Sequence, residues 1–317
     1  MNRLPPQPVD LPTTPIQVPP PANPGKAPTN PPVAAILMTC LVALIFAIQD
    51  GISRHLGGAY SPFLVVMLRY WFMAVFVTVI AARSTGGLKH AIRSKKPWTQ
   101  LLRGLLLVGE VVIVVFAFVK LGLIETHAVF ACSPLLVSAL SGPILGEKVG
   151  WRRWAAVGIG FLGILVILNP GVTVFSPWAV LPLISAAMYA TYLLLTRYVA
   201  RYDTSVVSFF WTGISGAIAI TLIGIWYWQP LLPADWIWLL LLCVCAASAH
   251  WLLILAYEMA EASALQPFSY LQLVFIAIIG FGVFNEPLRM NVIVGAVIVV
   301  AAGLFTLLRA RRAAHQA

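Results

Sequence analysis

Among the ionisable residues inside long apolar runs, four are the first candidates for chemistry: Asp50, Arg69, Glu110 and His250. In such a run an ionisable side chain needs a partner, a wet cavity or a proton, and is a functional candidate by default. Arg69 is eight residues into its run. It anchors an anionic group of a solute, or else forms a structural pair with Asp50. Glu110 lies twelve residues into its own run, near the middle, where a lone carboxylate is strongly disfavoured. It is a candidate for a coupling proton or for a cationic solute group, set against a buried structural acid. His250 has the only side chain that ordinarily titrates near neutrality, so it could relay a proton; a hydrogen-bonded packing histidine is the plainer alternative. With Asp50, these make up the proton-coupling candidates.

Aromatic and polar side chains supply the rest of a candidate pocket. Tyr189 and Tyr192 are three apart and share a helix face, while Tyr270 and Gln272 fall in the first half of a later run. An aromatic wall suits a planar or amphipathic solute, and helix packing accounts for the same residues nearly as well. Cys40, Cys132, Cys243 and Cys245 all lie in apolar runs and read as small packing residues, with no disulfide framework, metal or cofactor expected. Gly158-x-Gly160-x-x-Gly163 matches a dinucleotide fingerprint, but no strand precedes it. Its use here is close helix packing, as for Gly142-x-x-x-Gly146. No zinc-protease, serine-hydrolase or Walker A motif occurs.

The elements that position these groups follow from composition. Hydrophobic residues make up 61 % of the chain and charged ones 9 %, with a mean hydropathy of +0.93. A soluble domain of this length could not hide so much apolar surface, so lipid is the solvent for most of it. The net charge of +10 is spread over short breaks between apolar runs, which is an orientation signal rather than a nucleic-acid footprint. Residues 1–32 are rich in proline and poor in large apolar residues, predicting an extended cytoplasmic tail.

Runs of roughly 20 residues, enough to cross a bilayer, then follow at about 34–56, 62–82, 98–119, 126–146, 152–168, 178–197, 204–226, 234–256, 263–285 and 289–308. With the N-terminus cytoplasmic, 16 of the 20 Lys and Arg fall on the inside, Arg103 and the final Arg309, Arg311 and Arg312 among them. That bias puts both termini in the cytoplasm. Arg54 and Lys120 fall near the outer surface and can snorkel; Glu258 and Glu261 read as solvated, and the tryptophans at run ends as interfacial anchors. The stretches 126–169 and 262–308 share one grammar: apolar run, Glu147 or Glu286, a charged turn, then a small-residue-rich run. Five runs per half is odd, so the second half enters the membrane inverted, a plan common among transporters.

Ser133-Pro134 followed by Leu145-Gly146-Glu147, then Gly158 and Gly163, resembles the EamA repeat of the drug/metabolite transporter superfamily. Tyr270-Leu271-Gln272-Leu273, Phe284-Asn285-Glu286-Pro287, Gly295 and Gly303 are similar to its second copy. Arg54 and Arg69 match basic residues usual in the first two helices of that family. Two positions depart from its pattern: Asn285 replaces the usual glycine, and Leu273 stands where proline is common. The resemblance implies secondary transport of small organic metabolites through a central cavity, with Glu147 and Glu286 mainly structural. The Tyr-Leu-Gln-Leu form is similar to a branch that imports riboflavin or S-adenosylmethionine; other branches export amino acids.

The resulting expectation is an all-α integral membrane protein with ten helices in two inverted five-helix repeats. The chain divides into a tail (1–32), a first repeat (33–169), a second repeat (170–308) and a basic tail (309–317). It works in the bacterial inner membrane by alternating access, as monomer or homodimer, on a small-molecule substrate bound by Arg69, Glu110, Tyr189, Tyr192, Tyr270 and Gln272. A non-transporting receptor or scaffold is the alternative; a membrane enzyme would need a convergent catalytic set that the sequence does not show.

Overall fold

Inside a bilayer no water satisfies the backbone, so each apolar run closes its own hydrogen-bond ladder as a helix. The computed structural model describes residues 33–145, 151–168, 177–260, 265 and 268–315, less the side chains at 138, 143, 152, 153, 168, 177, 258 and 306–315. The proline-rich tail, Glu147 with its basic patch, the 169–171 break, Glu261 and the Glu258 side chain lie outside the described residues. The helices are α1 (Val33–Ala59), α2 (Pro62–Arg83), α3 (Gly87–Ile92), α4 (Pro97–Leu121), α5 (Leu123–Phe130), α6 (Ser133–Leu145), α7 (Trp151–Leu168), α8 (Val180–Val199), α9 (Ser205–Gly224), α10 (Asp235–Met259), α11 (Leu271–Phe284) and α12 (Met290–His315). Seven stretches are long and apolar enough to cross a membrane, and three shorter apolar helices occur at Trp154–Ile167, Leu271–Phe284 and Met290–Phe305.

Contacts between connections fix the direction of each helix. At the end where α1 finishes, Tyr60 donates to Asp235 (2.6 Å), Lys120 lies over the Trp178 ring, and Glu286 meets the start of α5. At the end where α1 begins, Ser94 and Gln100 donate to Asp203. We refer to these as the far end and the near end. α1 runs from near to far, and α8 runs from far to near.

The most extensive packing is between α7 and α12, α1 and α10, α2 and α9, and α4 and α8, with α6 on α8 and α11 on α1. Take the spans as α1, α2, α4, α5–α6 and α7, then α8 to α12. Exchanging the two sets turns α1–α10 into α8–α4 and α1–α11 into α8–α6. It leaves α2–α9 and α7–α12 paired as before, so the packing maps onto itself. The fingerprint-like glycines serve this packing in part. A Cβ at Gly163 would lie 2.9 Å from the Gly295 carbonyl oxygen, and one at Gly160 would collide with Leu135, whereas Gly158 faces open space.

The expected fourth span, 126–146, is two helices. Pro134 has no N–H to give the carbonyl of Phe130, four residues back, so α5 stops there and α6 starts afresh with proline in its first turn. The matching stretch of the second half also has a turn at Tyr270 before α11. At the other end of α11, Asn285 takes a left-handed conformation with φ 52°. The amide of Glu286 then reaches back to the Gly280 carbonyl (2.9 Å), closing the helix in a Schellman-type cap. Glycine is the usual residue at such a position, and asparagine is the residue that most readily replaces it.

Candidate substrate site

The two interrupted spans meet around a central cavity with about 680 Å³ of atom-free space, part of it open to solvent. Its walls come from α1 (Thr39, Val42, Ala43, Phe46), the α5–α6 break (His127, Phe130, Ala131, Ser133, Pro134), α8 (Tyr189, Leu193), α10 (Leu253, Tyr257) and the approach to α11 with its first turn (Leu265, Ser269, Tyr270, Gln272, Leu273). Broken helices leave backbone groups free at mid-membrane depth, which is where carriers of this architecture place their ligands. Among the described residues the lining includes no Lys, Arg, Asp or Glu. They instead supply aromatic rings with hydroxyl, amide and imidazole groups, a surface for a flat solute with a few polar edges.

One acid stands directly behind this wall. Asp50, on α1, accepts from Gln49 Nε2 at Oδ1 (3.1 Å) and from Gln272 Nε2 at Oδ2 (3.0 Å), and His127 Nε2 lies 3.2 Å from that same Oδ2. His127 stacks on Phe118 with ring centroids 5.2 Å apart. Asp50 therefore ties α1, α5 and α11 together, and two of its three partners line the cavity. It is not the partner of Arg69.

Arg69 is enclosed between α2 and α10, with its Nη2 3.3 Å from His250 Nε2. Glu110 is also buried, on α4, and accepts from Ser185 Oγ on α8 (2.8 Å). Both lie outside the cavity wall. Tyr189 and Tyr192 do share a face, with stacked rings 6.1 Å apart. Only Tyr189 lines the cavity, while Tyr192 lies against the Arg103 guanidinium at 5.4 Å. Tyr270 and Gln272 line the cavity, and the Tyr270 hydroxyl is pressed against Gly303 of α12.

Several groups of this centre are not evident from sequence. His127 is one turn into its helix, where a histidine reads as interfacial; the adjacent proline break is the signal that places it at a pocket. Arg103 counts among the loop cations by position, yet it is wholly buried. It donates to Gln100 (3.1 Å), Thr196 (3.1 Å), Thr212 (2.6 Å) and the Ser208 carbonyl, joining α4, α8 and α9.

At the far end Glu286 ties the α11–α12 turn to α5 and α1. Its two oxygens accept the free amides of Leu123 and Ile124, each at 2.8 Å, capping α5 at an end that carries unsatisfied N–H groups and partial positive charge. Arg54 pairs with the same carboxylate and covers the Phe284 ring at 4.2 Å. Arg54 is thus a closing residue rather than a snorkelling one. A second bridge, Arg289 to Glu125 (2.9 Å), lies beside it.

A polytopic helical protein with a cavity at paired helix breaks has the layout of a membrane carrier. The chain belongs to the EamA-like transporter family, whose profile matches residues 33–169 and again 176–308. It is 27 % identical over 262 residues to the S-adenosylmethionine uptake transporter of Rickettsia prowazekii, covering 82 % of this chain and 87 % of that one. It is 28 % identical over 286 residues to the riboflavin transporter of Vibrio cholerae, with 86 % and 93 % coverage. A pseudopaline exporter of Pseudomonas aeruginosa is 22 % identical over 85 % of this chain and 94 % of its own. A solved crystal structure shares the fold with a TM-score of 0.60, at 20 % identity, over 88 % of this chain and 98 % of that one.

Proposed function

We propose that the protein is a secondary transporter that moves a small, planar or amphipathic organic solute by alternating access between two inverted five-helix halves. The cavity carries this reading: it is aromatic, has no charged lining residue among the described ones, and lies at the two helix breaks. Solutes of the class named for the relatives, riboflavin or S-adenosylmethionine, fit such a wall. With both termini cytoplasmic, the far end is the outer face and the conformation is closed to the outside. Tyr189, Tyr270 and Gln272 contact the solute; Arg69, Glu110 and Tyr192 support the site from behind the wall. The coupling proton resides on Glu110 or Asp50, because the ring nitrogen of His250 nearest Arg69 is engaged by it.

The test is uptake into liposomes of purified protein with labelled riboflavin and S-adenosylmethionine in a pooled metabolite mixture, with and without an inward proton gradient. Accumulation of one solute names the substrate, and dependence on the gradient establishes coupling. Movement of no solute, in exchange or in net uptake, defeats the proposal. Glu110→Gln removes the pH dependence of uptake if Glu110 carries the proton; an unchanged profile moves that role to Asp50.

A further inference from the structure

Among the described residues two arginines are buried, and only one of them is satisfied. Arg103 engages Gln100, Thr196, Thr212 and the Ser208 carbonyl. Arg69, 3 % exposed, has one hydrogen-bond partner among the described residues, His250 Nε2 at 3.3 Å, and its Nε has none. A guanidinium only donates. The contact therefore requires His250 Nε2 to accept, which fixes the ring proton on Nδ1. That Nδ1, on a residue 3 % exposed, has no partner either.

The pair thus presents two buried donors around one fixed positive charge. Among the described residues no carboxylate lies within ion-pair distance of Arg69. Glu110 is close enough to interact with it through space, but its carboxylate is bonded to Ser185. A buried charge without a counter-charge is strongly unfavourable, and buried donors without acceptors need an explanation. We infer that Arg69 and His250 form a binding site for a monovalent anion, either a carboxylate or a halide. Phe46 packs edge-on against His250 with ring centroids 5.2 Å apart and also lines the solute cavity. The site is therefore one ring behind the cavity wall. Its ligand is the acid group of a solute, or free chloride.

The anion site rests on the transport reading only for the origin of its ligand, and it is tested without transport. Purified full-length protein is titrated with sodium chloride and, separately, with sodium acetate, at constant ionic strength set with a bulky sulfonate, and thermal unfolding is followed. A saturable rise in Tm with chloride, half-saturating at an at least tenfold higher concentration in Arg69→Gln, identifies free halide as the ligand. The same response to acetate alone assigns the site to a solute carboxylate. No response to either anion, or equal responses in wild type and variant, overturns the inference. Should Arg69→Gln not fold, Arg69→Lys keeps the charge, loses the planar fork, and serves for the comparison. Anion binding without any solute uptake would defeat the transport reading while leaving the site in place.

Discussion

Asn285 is the one non-glycine residue with positive φ among the described residues, and its conformation aims the next side chain. The left-handed turn lets the Glu286 amide close the helix onto Gly280, which projects the Glu286 carboxylate at the amides of Leu123 and Ile124. Replacing asparagine by alanine costs about 1–2 kcal/mol, the penalty of a Cβ in that region without local polar compensation. Asn285→Gly keeps or slightly raises stability; thermal unfolding of both variants checks this. Gly122 is stricter. Its φ is +91°, and a Cβ there would sit 2.7 Å from Glu286 Oε1, so Gly122→Ala is both strained and displaces the capping acid. It should lower Tm by more than Asn285→Ala does.

The seal made by α5, the α11–α12 turn and Arg54 of α1 belongs to the element scale. Glu286→Gln removes the ion pair and one charged acceptor, a loss of about 1.5–3 kcal/mol for hydrogen bonds to charged groups. A cysteine placed at Ile124, with the four native cysteines replaced, should then react at least several-fold faster with an impermeant thiol reagent added outside. An unchanged rate would mean that the far end is held by packing alone. At this scale the sequence was only partly informative. Seven spans were legible because twenty-residue apolar runs are long and repetitive signals, while the runs at 152–168, 263–285 and 289–308 hold shorter apolar helices among the described residues. The division of one span at Ala131 and Cys132 was not, since an apolar run hides a break that Pro134 merely permits. Arg103 was misplaced because its position near the start of α4 suggested solvent, whereas buried acceptors that hold it come from α8 and α9, more than ninety residues away. The Asp50 centre was half legible: the acid stands out in an apolar run, but its partners His127 and Gln272 are distant in sequence.

At the scale of the whole molecule, α7 and α12 meet through Gly163 and Gly295, where each glycine lies against the other's carbonyl. Gly295→Val overpacks that seam and costs about 1–3 kcal/mol, which should appear as a lower Tm. If α7 and α12 only brace the carrier, the apparent affinity for solute stays the same. The cross-pairing of the halves has a consequence for how the chain is made. α1, α2, α4 and α7 find their principal partners in α10, α9, α8 and α12, all of which leave the ribosome later. Insertion of the first five spans therefore precedes most of their packing. They must wait in the bilayer with the polar edges of Asp50, Arg69 and Glu110 facing lipid, water or one another. Two repeats in sequence thus make one unit of assembly, and a ribosome halted near residue 170 would leave a half-molecule that lipid can dissolve but that cannot complete its own interior.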